Sequence, residues 1–351
     1  MELKDILSDA VRQDASDIFL VTGRPVSFKI KGIIVQQNED RLKPEDSLSL
    51  VDAMYAMSGG RETGHRDGGD DDFAFALAGV GRFRVNIYKQ RGTWSAVLRV
   101  VAFQMQELEQ MGIPQRVIEL GNLTKGLVLV TGTAGSGKST TMTYIIDYIN
   151  KNRNCHILTL EDPIEYLHKH GNSIVSQREI GIDSLSYNKA LRAAMRESPD
   201  VIFIGEMRDH ETIEIAMTAA ETGHLVFSTL HTIGAANTID RIIDVFPPNQ
   251  QLQIRFQLSM VLKAIVSQQL LRGYDGLVPA FEVLEANSAV RTMIRDGKVH
   301  QIDSVILASS QGGMKSMDQS ILELYQAKKI DADTALTYCI NAELMKRSME
   351  M

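Results

Sequence analysis

Eight consecutive residues, Gly132, Thr133, Ala134, Gly135, Ser136, Gly137, Lys138 and Ser139, carry the strongest chemical signal in the chain. They match the glycine-rich phosphate-binding pattern G-x-x-x-x-G-K-[ST], in the strand–loop–helix setting that the pattern needs. Before them runs a short apolar, β-branched stretch, Leu127 to Thr131, which reads as a buried strand. After them Met142, Ile145, Ile146 and Ile149 recur at helical spacing. The glycines let backbone N–H groups turn inward around phosphate oxygens, and the N-terminus of the helix adds a dipole that favours anions. In such a loop Lys138 reaches the β- and γ-phosphates, Ser139 offers its hydroxyl to Mg2+, and Thr140 continues the binding stretch. The plainer alternative is a glycine-rich turn ahead of a helix; the complete spacing and both flanks favour the phosphate loop.

Three further clusters fall just past candidate strands, where an open parallel sheet binds its ligands. In LTLEDPIEY (158–166), Pro163 ends a strand and Glu161, Asp162 and Glu165 gather in the turn. DVIFIGEMRD (200–209) is an apolar strand ending at Glu206, a Walker-B-like position whose carboxylate polarises an attacking water or helps hold hydrated Mg2+. A carboxylate after a strand is ordinarily a helix cap or a solvated group; the phosphate loop shifts the balance toward function for Glu206. Asp200 precedes the same strand and so belongs near the opposite edge, with a structural role.

The third cluster, GHLVFSTLHT (223–232), holds His224 and His231. Seven extended steps of ~3.3 Å separate them by about 23 Å, too far for one metal ion. His224 is at the start of the strand and reads as structural. His231 follows Ser228 and Thr229 at the opposite end, where it can sense a γ-phosphate or position water. Farther upstream, Arg82 and Arg84 in GRFRVNIYKQRG lie two apart, hence on one strand face, with Arg91 and Arg99 nearby. Arginines on a sheet face are usually solvated or paired; in a two-domain nucleoside triphosphatase they can instead reach a neighbouring nucleotide as arginine fingers.

The elements that must position these groups divide by pattern. Residues 1–101 alternate a helix near 1–15, strands near 17–22, 27–31 and 33–36, a helix from Pro44, a glycine-rich charged stretch at 58–71, and three strands between 73 and 101. That makes an α+β domain of roughly 100 residues. Residues 102–125 read as an interdomain linker with a turn at MGIP and a short helix from Pro114. From Gly126 to 351 the chain is a second, α/β domain. Strands are expected at 126–131, 156–160, 201–205 and 225–229, and helices at 138–151, 186–197, 210–221 and 234–244. Beyond Pro247-Pro248 it reads as mainly helical, interrupted by one strand at 278–286.

The chain has 351 residues, 44% hydrophobic and 23% charged, with a formal charge of −7. That is a globular composition, and the acidic balance argues against a broad nucleic-acid footprint. No apolar stretch approaches the ~20 residues of a membrane span, and MELKDILSDAV is not expected to be a signal peptide. Cys155 and Cys339 form no CxxC pair and read as two cytosolic thiols.

Taken together, GTAGSGKSTT, EDPIEY, DVIFIGEMRD and GHLVFSTLHT, preceded by GRFRVN, resemble the secretion/type IV pilus ATPase superfamily, specifically the pilus retraction ATPases of the PilT and PilU type. The likeness runs from SDIFLVTGRP (16–25) to GGMKSMDQSILELY (312–325). The resemblance implies a PAS-like N-terminal domain followed by a RecA-like P-loop ATPase domain with a helical C-terminal region. It also implies a homo-hexamer with ATP and Mg2+ between subunits, acting at the cytoplasmic face of the inner membrane. The implied partners are an inner-membrane pilus platform protein and a second retraction ATPase. Carried onto this chain, it makes Glu206 the catalytic carboxylate, Glu161 a support for metal or water and His231 a γ-phosphate sensor. It makes Arg82, Arg84 and Arg99 nucleotide contacts. AVRTMIRDGK (289–298) resembles the segment associated with retraction, and the double-CxxC zinc insertion of extension motors is absent. Thr133-Ala134 replaces the usual Pro-Thr, which leaves backbone amides in place, and SDIFL is nearer the accessory members than SDLHL. The expected activity is Mg-dependent ATP hydrolysis driving pilus retraction and twitching motility. The alternatives are a pilus extension or type II secretion ATPase, a RecA-like nucleic-acid motor and a non-hydrolysing adaptor ring.

Overall fold

A computed structural model describes residues 2–30, 32–58, 69–101, 111–309 and 313–350. Most of the glycine-rich stretch at 58–71, and the first part of the expected linker, residues 102–110, lie outside the described residues. The chain divides into two compact units, residues 1–105 with 165–167, and residues 106–164 with 168–351.

In the first unit the order is α1 (Leu3–Arg12), β1 (Ala15–Val21), β2 (Pro25–Ile30), β3 (Ile33–Arg41), α2 (Pro44–Met57), β4 (Asp70–Leu77), β5 (Gly81–Gln90) and β6 (Thr93–Val101). The six strands form one antiparallel sheet ordered β3-β2-β1-β6-β5-β4. One face is apolar by strict alternation: Phe83, Val85 and Ile87 of β5 are fully buried with Ile18, Leu20 and Leu98. The helix α1 supplies Leu3, Ile6, Leu7 and Ala10 to that core, spaced to lie along one side of the helix. Arg82 and Arg84 therefore share the other face of β5.

The second unit runs α3 (Gln115–Ile118), β7 (Gly126–Thr131), α4 (Lys138–Asn152), β8 (His156–Glu161), β9 (Ile174–Glu179), α5 (Tyr187–Ala194), β10 (Val201–Ile204), α6 (His210–Glu221), β11 (Leu225–Leu230) and α7 (Ala235–Asp244). It continues with α8 (Pro248–Val261), β12 (Leu262–Gly273), β13 (Gly276–Glu285), α9 (Ser288–Arg295), α10 (Ile302–Ala308), α11 (Met317–Gln326), α12 (Ala332–Tyr338) and α13 (Ala342–Met349). Its seven strands are ordered β13-β12-β7-β11-β10-β8-β9. β7, β10 and β11 are buried along their whole length, as strands covered on both faces must be.

Two elements depart from the sequence reading. Residues 262–273, expected to be helical, are the strand β12, parallel to β7 and antiparallel to β13, so the sheet is mixed and not purely parallel. A short apolar run of this kind satisfies either period locally, and the open position beside β7 decides it. β9, which the sequence reading did not place, adds an edge strand parallel to β8. No helix among the described residues is long and apolar enough to cross a membrane.

Candidate functional site

The site is built on the carboxyl edge of the second sheet. Leu230 of β11 is level with Thr131 of β7, and Ser228 of β11 with Ile204 of β10, which is in turn level with Leu160 of β8. The parallel register therefore brings the ends of four strands to one line. The phosphate loop, Glu161, Glu206 and His231 each follow one of these ends.

The loop turns through Gly132 (φ 142°), Gly135 (φ 78°) and Gly137 (φ 88°), all in the region that favours glycine. Two of the three are also closely packed. A Cβ on Gly132 would come within 2.2 Å of the backbone carbonyl oxygen of Gln268, and one on Gly137 within 2.8 Å of the side-chain Nε2 of Gln268. Gly137 caps α4, whose first residue, Lys138, is buried and donates from Nζ to the carbonyls of Gly132 and Thr133, both at 2.8 Å. The ammonium is thus held inside the loop at a fifteen-residue helix N-terminus, an arrangement suited to phosphate oxygens. Thr133, Ala134 and Gly135 are exposed at the crest, while the hydroxyl of Ser136 is buried with no protein partner. Ser139 and Thr140 are half-buried on the first turn of α4.

Glu206 is nearly enclosed, its side chain 13% exposed. Arg208 meets Oε1 at 2.5 Å and His231 Nε2 stands 3.2 Å from Oε2. The Arg208 guanidinium holds its proton still more firmly than usual because of that bond. The turn carrying Glu206 is pinned to both neighbours: Gly205 N donates to Leu160 O at 2.7 Å, Thr229 Oγ1 to Gly205 O at 2.5 Å, and Met207 N to Thr229 O at 3.2 Å. Glu161 accepts from Thr159 Oγ1 at 2.7 Å and from Gln177 Nε2 at 3.1 Å.

Several residues of this constellation were not visible in the sequence. Gln268, from the unanticipated β12, is 3% exposed, and its Oε1 accepts from the fully buried Thr141 hydroxyl of α4 at 2.7 Å. Gln177 comes from the unanticipated β9. Tyr187, at the start of α5, sits against Gly205, whose added Cβ would lie 2.8 Å from the phenol oxygen. Burial pushes that phenol well above its usual range, and the charges of Asp162, Glu206 and Glu161 push it further, against Arg208. It therefore stays protonated and available as a donor. Arg208 was legible only as part of the GEMRD string.

Other singled-out residues lie elsewhere. Asp200 is at the opposite edge, where its Oδ2 accepts from His156 N at 2.8 Å. His224 precedes β11 and its Nδ1 is 3.0 Å from Ala219 O. In the first unit, Arg99 is level with Arg84 across β5 and β6 and donates to Asp17 Oδ1 at 3.2 Å. Arg295 approaches Asp296 at 3.6 Å, and Arg291 Nε donates to Ala286 O at 3.0 Å. Both cysteines are free. Among the described residues no group of three His, Cys, Asp or Glu could hold a metal ion by itself. The donor set at the edge is nonetheless hard oxygen: the Ser139 hydroxyl and the Glu161 and Glu206 carboxylates. That set fits Mg2+ bound through one or two protein oxygens plus phosphates and water.

Residues 1–322 match the family model described as "Type II/IV secretion system protein". The chain is 39% identical over 336 residues to the type IV pilus retraction ATPase PilT of Pseudomonas aeruginosa, covering 95% of this chain and 97% of that one. It is 36% identical over 353 residues to the type IV pilus ATPase PilU of the same organism, covering all of this chain and 92% of that one. Among solved structures, the pilus retraction motor PilT with bound ADP is similar over 99% of both chains, with a TM-score of 0.89 and 45% identity.

Proposed function

Because the chain belongs to the type II/IV secretion system protein family, we propose that it is a Mg-dependent ATP hydrolase that powers retraction of a type IV pilus. The first unit is the PAS-like α+β part, and the second a RecA-like P-loop core with a helical C-terminal region. What most supports the reading is one sheet edge carrying both a loop ready for phosphate and a fixed Glu206–His231 pair.

ATP is held by the N–H groups of residues 132–140 and by Lys138, whose two carbonyl partners give way to the β- and γ-phosphates. Ser139, Glu161 and Glu206 would hold Mg2+, which when bound would supply charge neutralisation at the phosphates. Glu206 orients the attacking water and draws off its proton. Arg208 and His231 fix its two oxygens, and His231 reads the γ-phosphate from the same position. Glu161, held by Thr159 and Gln177, keeps the second wall of the site charged. In the ring, Arg82, Arg84 and Arg99 are assigned to the nucleotide of a neighbouring subunit, adding positive charge to the transferring phosphoryl group there. The working form is a homo-hexamer at the cytoplasmic face of the inner membrane, engaging the pilus platform protein and a second retraction ATPase. The boundary between the two parts lies in residues 102–125.

Steady-state hydrolysis of Mg-ATP, with Glu206→Gln in parallel and ADP binding followed by calorimetry, tests the assignment. Turnover should fall about 10²- to 10⁴-fold with ADP affinity kept. Unimpaired turnover in the variant would refute Glu206 as the base and move the role to Glu161. Wild-type protein inert at every concentration would favour the adaptor ring.

A further inference from the structure

Away from the catalytic edge, residues of β13, α10, α11 and α13 wall a cavity of about 490 Å3. Its floor is Glu282 of β13, which is 4% exposed. That carboxylate accepts from Ala235 N at 2.8 Å and from Met317 N, the first amides of α7 and α11. Asp303 and Asp318 also face the cavity. Asp318 is committed to Ile340 N at 2.6 Å and Asn341 N at 2.9 Å. Asp303 accepts no hydrogen bond and joins no ion pair among the described residues. The described lining contains three carboxylates and no Lys, Arg or His.

The rest of the lining mixes Ser316, Gln319, Asn341 and Ser348 with aliphatic side chains, Leu322 and Met345 inside and Leu307, Ile340 and Leu344 exposed around the mouth. Glu282 is buried, and Asp303, exposed to solvent on one side, faces the same cavity with no cation in the described lining, so the cavity presents negative charge to whatever enters it. Burial raises the proton affinity of both Glu282 and Asp303; for Glu282 the charges of Asp303 and Asp318 add to it, against the hydrogen bonds from Ala235 and Met317. A cation entering the cavity relieves all of this at once.

We propose that this cavity docks a basic segment of a partner protein, one Lys or Arg entering toward Asp303 and Glu282 with aliphatic neighbours on Leu307, Ile340 and Leu344. The stem of such a side chain packs on the aliphatic walls while its head reaches the carboxylates. Charge complementarity selects a basic partner and rejects an acidic one. The three exposed aliphatic side chains at the mouth extend the apolar contact beyond the reach of a free small amine, which commits the occupant to a peptide segment. This docking is independent of the hydrolytic assignment, and its test reads binding alone.

The probe is a fluorescently labelled amphipathic peptide with Leu and Lys at helical spacing, titrated with the full chain and followed by anisotropy. Two control peptides carry Glu in place of Lys, or Ser in place of Leu. Saturable binding of the Leu/Lys peptide only is expected. Asp303→Asn should weaken it about tenfold, the loss of one charge-assisted contact. Leu344→Ser should weaken it severalfold. Glu343→Gln, an exposed acid outside the cavity, should leave it unchanged. Both test positions are exposed, and circular dichroism checks that the variants fold. Absence of saturable wild-type binding, wild-type affinity in both test variants, or an equal loss in Glu343→Gln would overturn the proposal.

Discussion

The bond between Gln268 and Thr141 ties β12 to the first turns of α4, directly behind the phosphate loop. Both side chains are buried, Thr141 fully and Gln268 nearly so. Replacing Gln268 with Ala removes one hydrogen bond, worth about 1 kcal/mol net, and leaves the Thr141 hydroxyl unsatisfied at a further ~1–3 kcal/mol. Thr141→Val does the reverse, leaving the side-chain Oε1 of Gln268 unpaired at a similar cost. Each single variant should thus lose about 2–4 kcal/mol. For a unit of this size that lowers Tm by about 2–4 °C per kcal/mol, or roughly 4–16 °C. The double variant removes both polar groups together, so its loss should fall short of the sum by about 1–2 kcal/mol. Urea unfolding of the four proteins, read by far-ultraviolet circular dichroism, measures the cycle, and ADP titration should show Gln268→Ala weaker than wild type. Strict additivity in the cycle, or Gln268→Ala with unchanged stability and ADP affinity, would refute the role given to β12.

Two further outcomes follow from the geometry. Gly132→Ala puts a methyl 2.2 Å from the Gln268 carbonyl oxygen at φ 142°, so the loop must shift; ADP affinity should drop at least ~100-fold, about 2.7 kcal/mol. Gly135→Ala, with nothing within 4 Å, should cost only the ~1–2 kcal/mol of a left-handed residue, as calorimetry of the pair will show. Burial lowers the pKa of His168 to about 4, with Asp147 opposing the shift. The native state therefore binds this proton later than the unfolded chain does. Stability from this residue is complete above about pH 6.5 and is lost as pH falls toward 4, by up to about 3 kcal/mol. His168→Asn should flatten that part of the urea-midpoint profile; an unchanged slope between pH 6.5 and 4 would refute it.

The loop at 132–139, the strand before it, the helix after it and the acid at the end of 201–204 were legible because each is written in adjacent residues. Gly132, Gly135 and Gly137 encode the turn, continuous apolar residues encode buried strands, and a carboxylate after a parallel strand has one edge to occupy. The alternation in GRFRVN likewise put Arg82 and Arg84 on one face before any partner strand was known. Tertiary structure alone decided which distant segments lie beside these. Residues 262–273 carry an apolar run that suits either period, and only pairing with β7 and β13 made them a strand. That pairing sets Ser267 level with Thr131 and so delivers Gln268 to the loop from more than a hundred positions away in sequence. In the same way β9 brings Gln177 to Glu161, and β1 lying against β6 gives Arg99 its Asp17 partner. The chain by itself determined the chemistry and the local elements that present it, since both depend on neighbours in sequence. The braces around that chemistry depend on strand order and register, which are settled by burying all the faces at once.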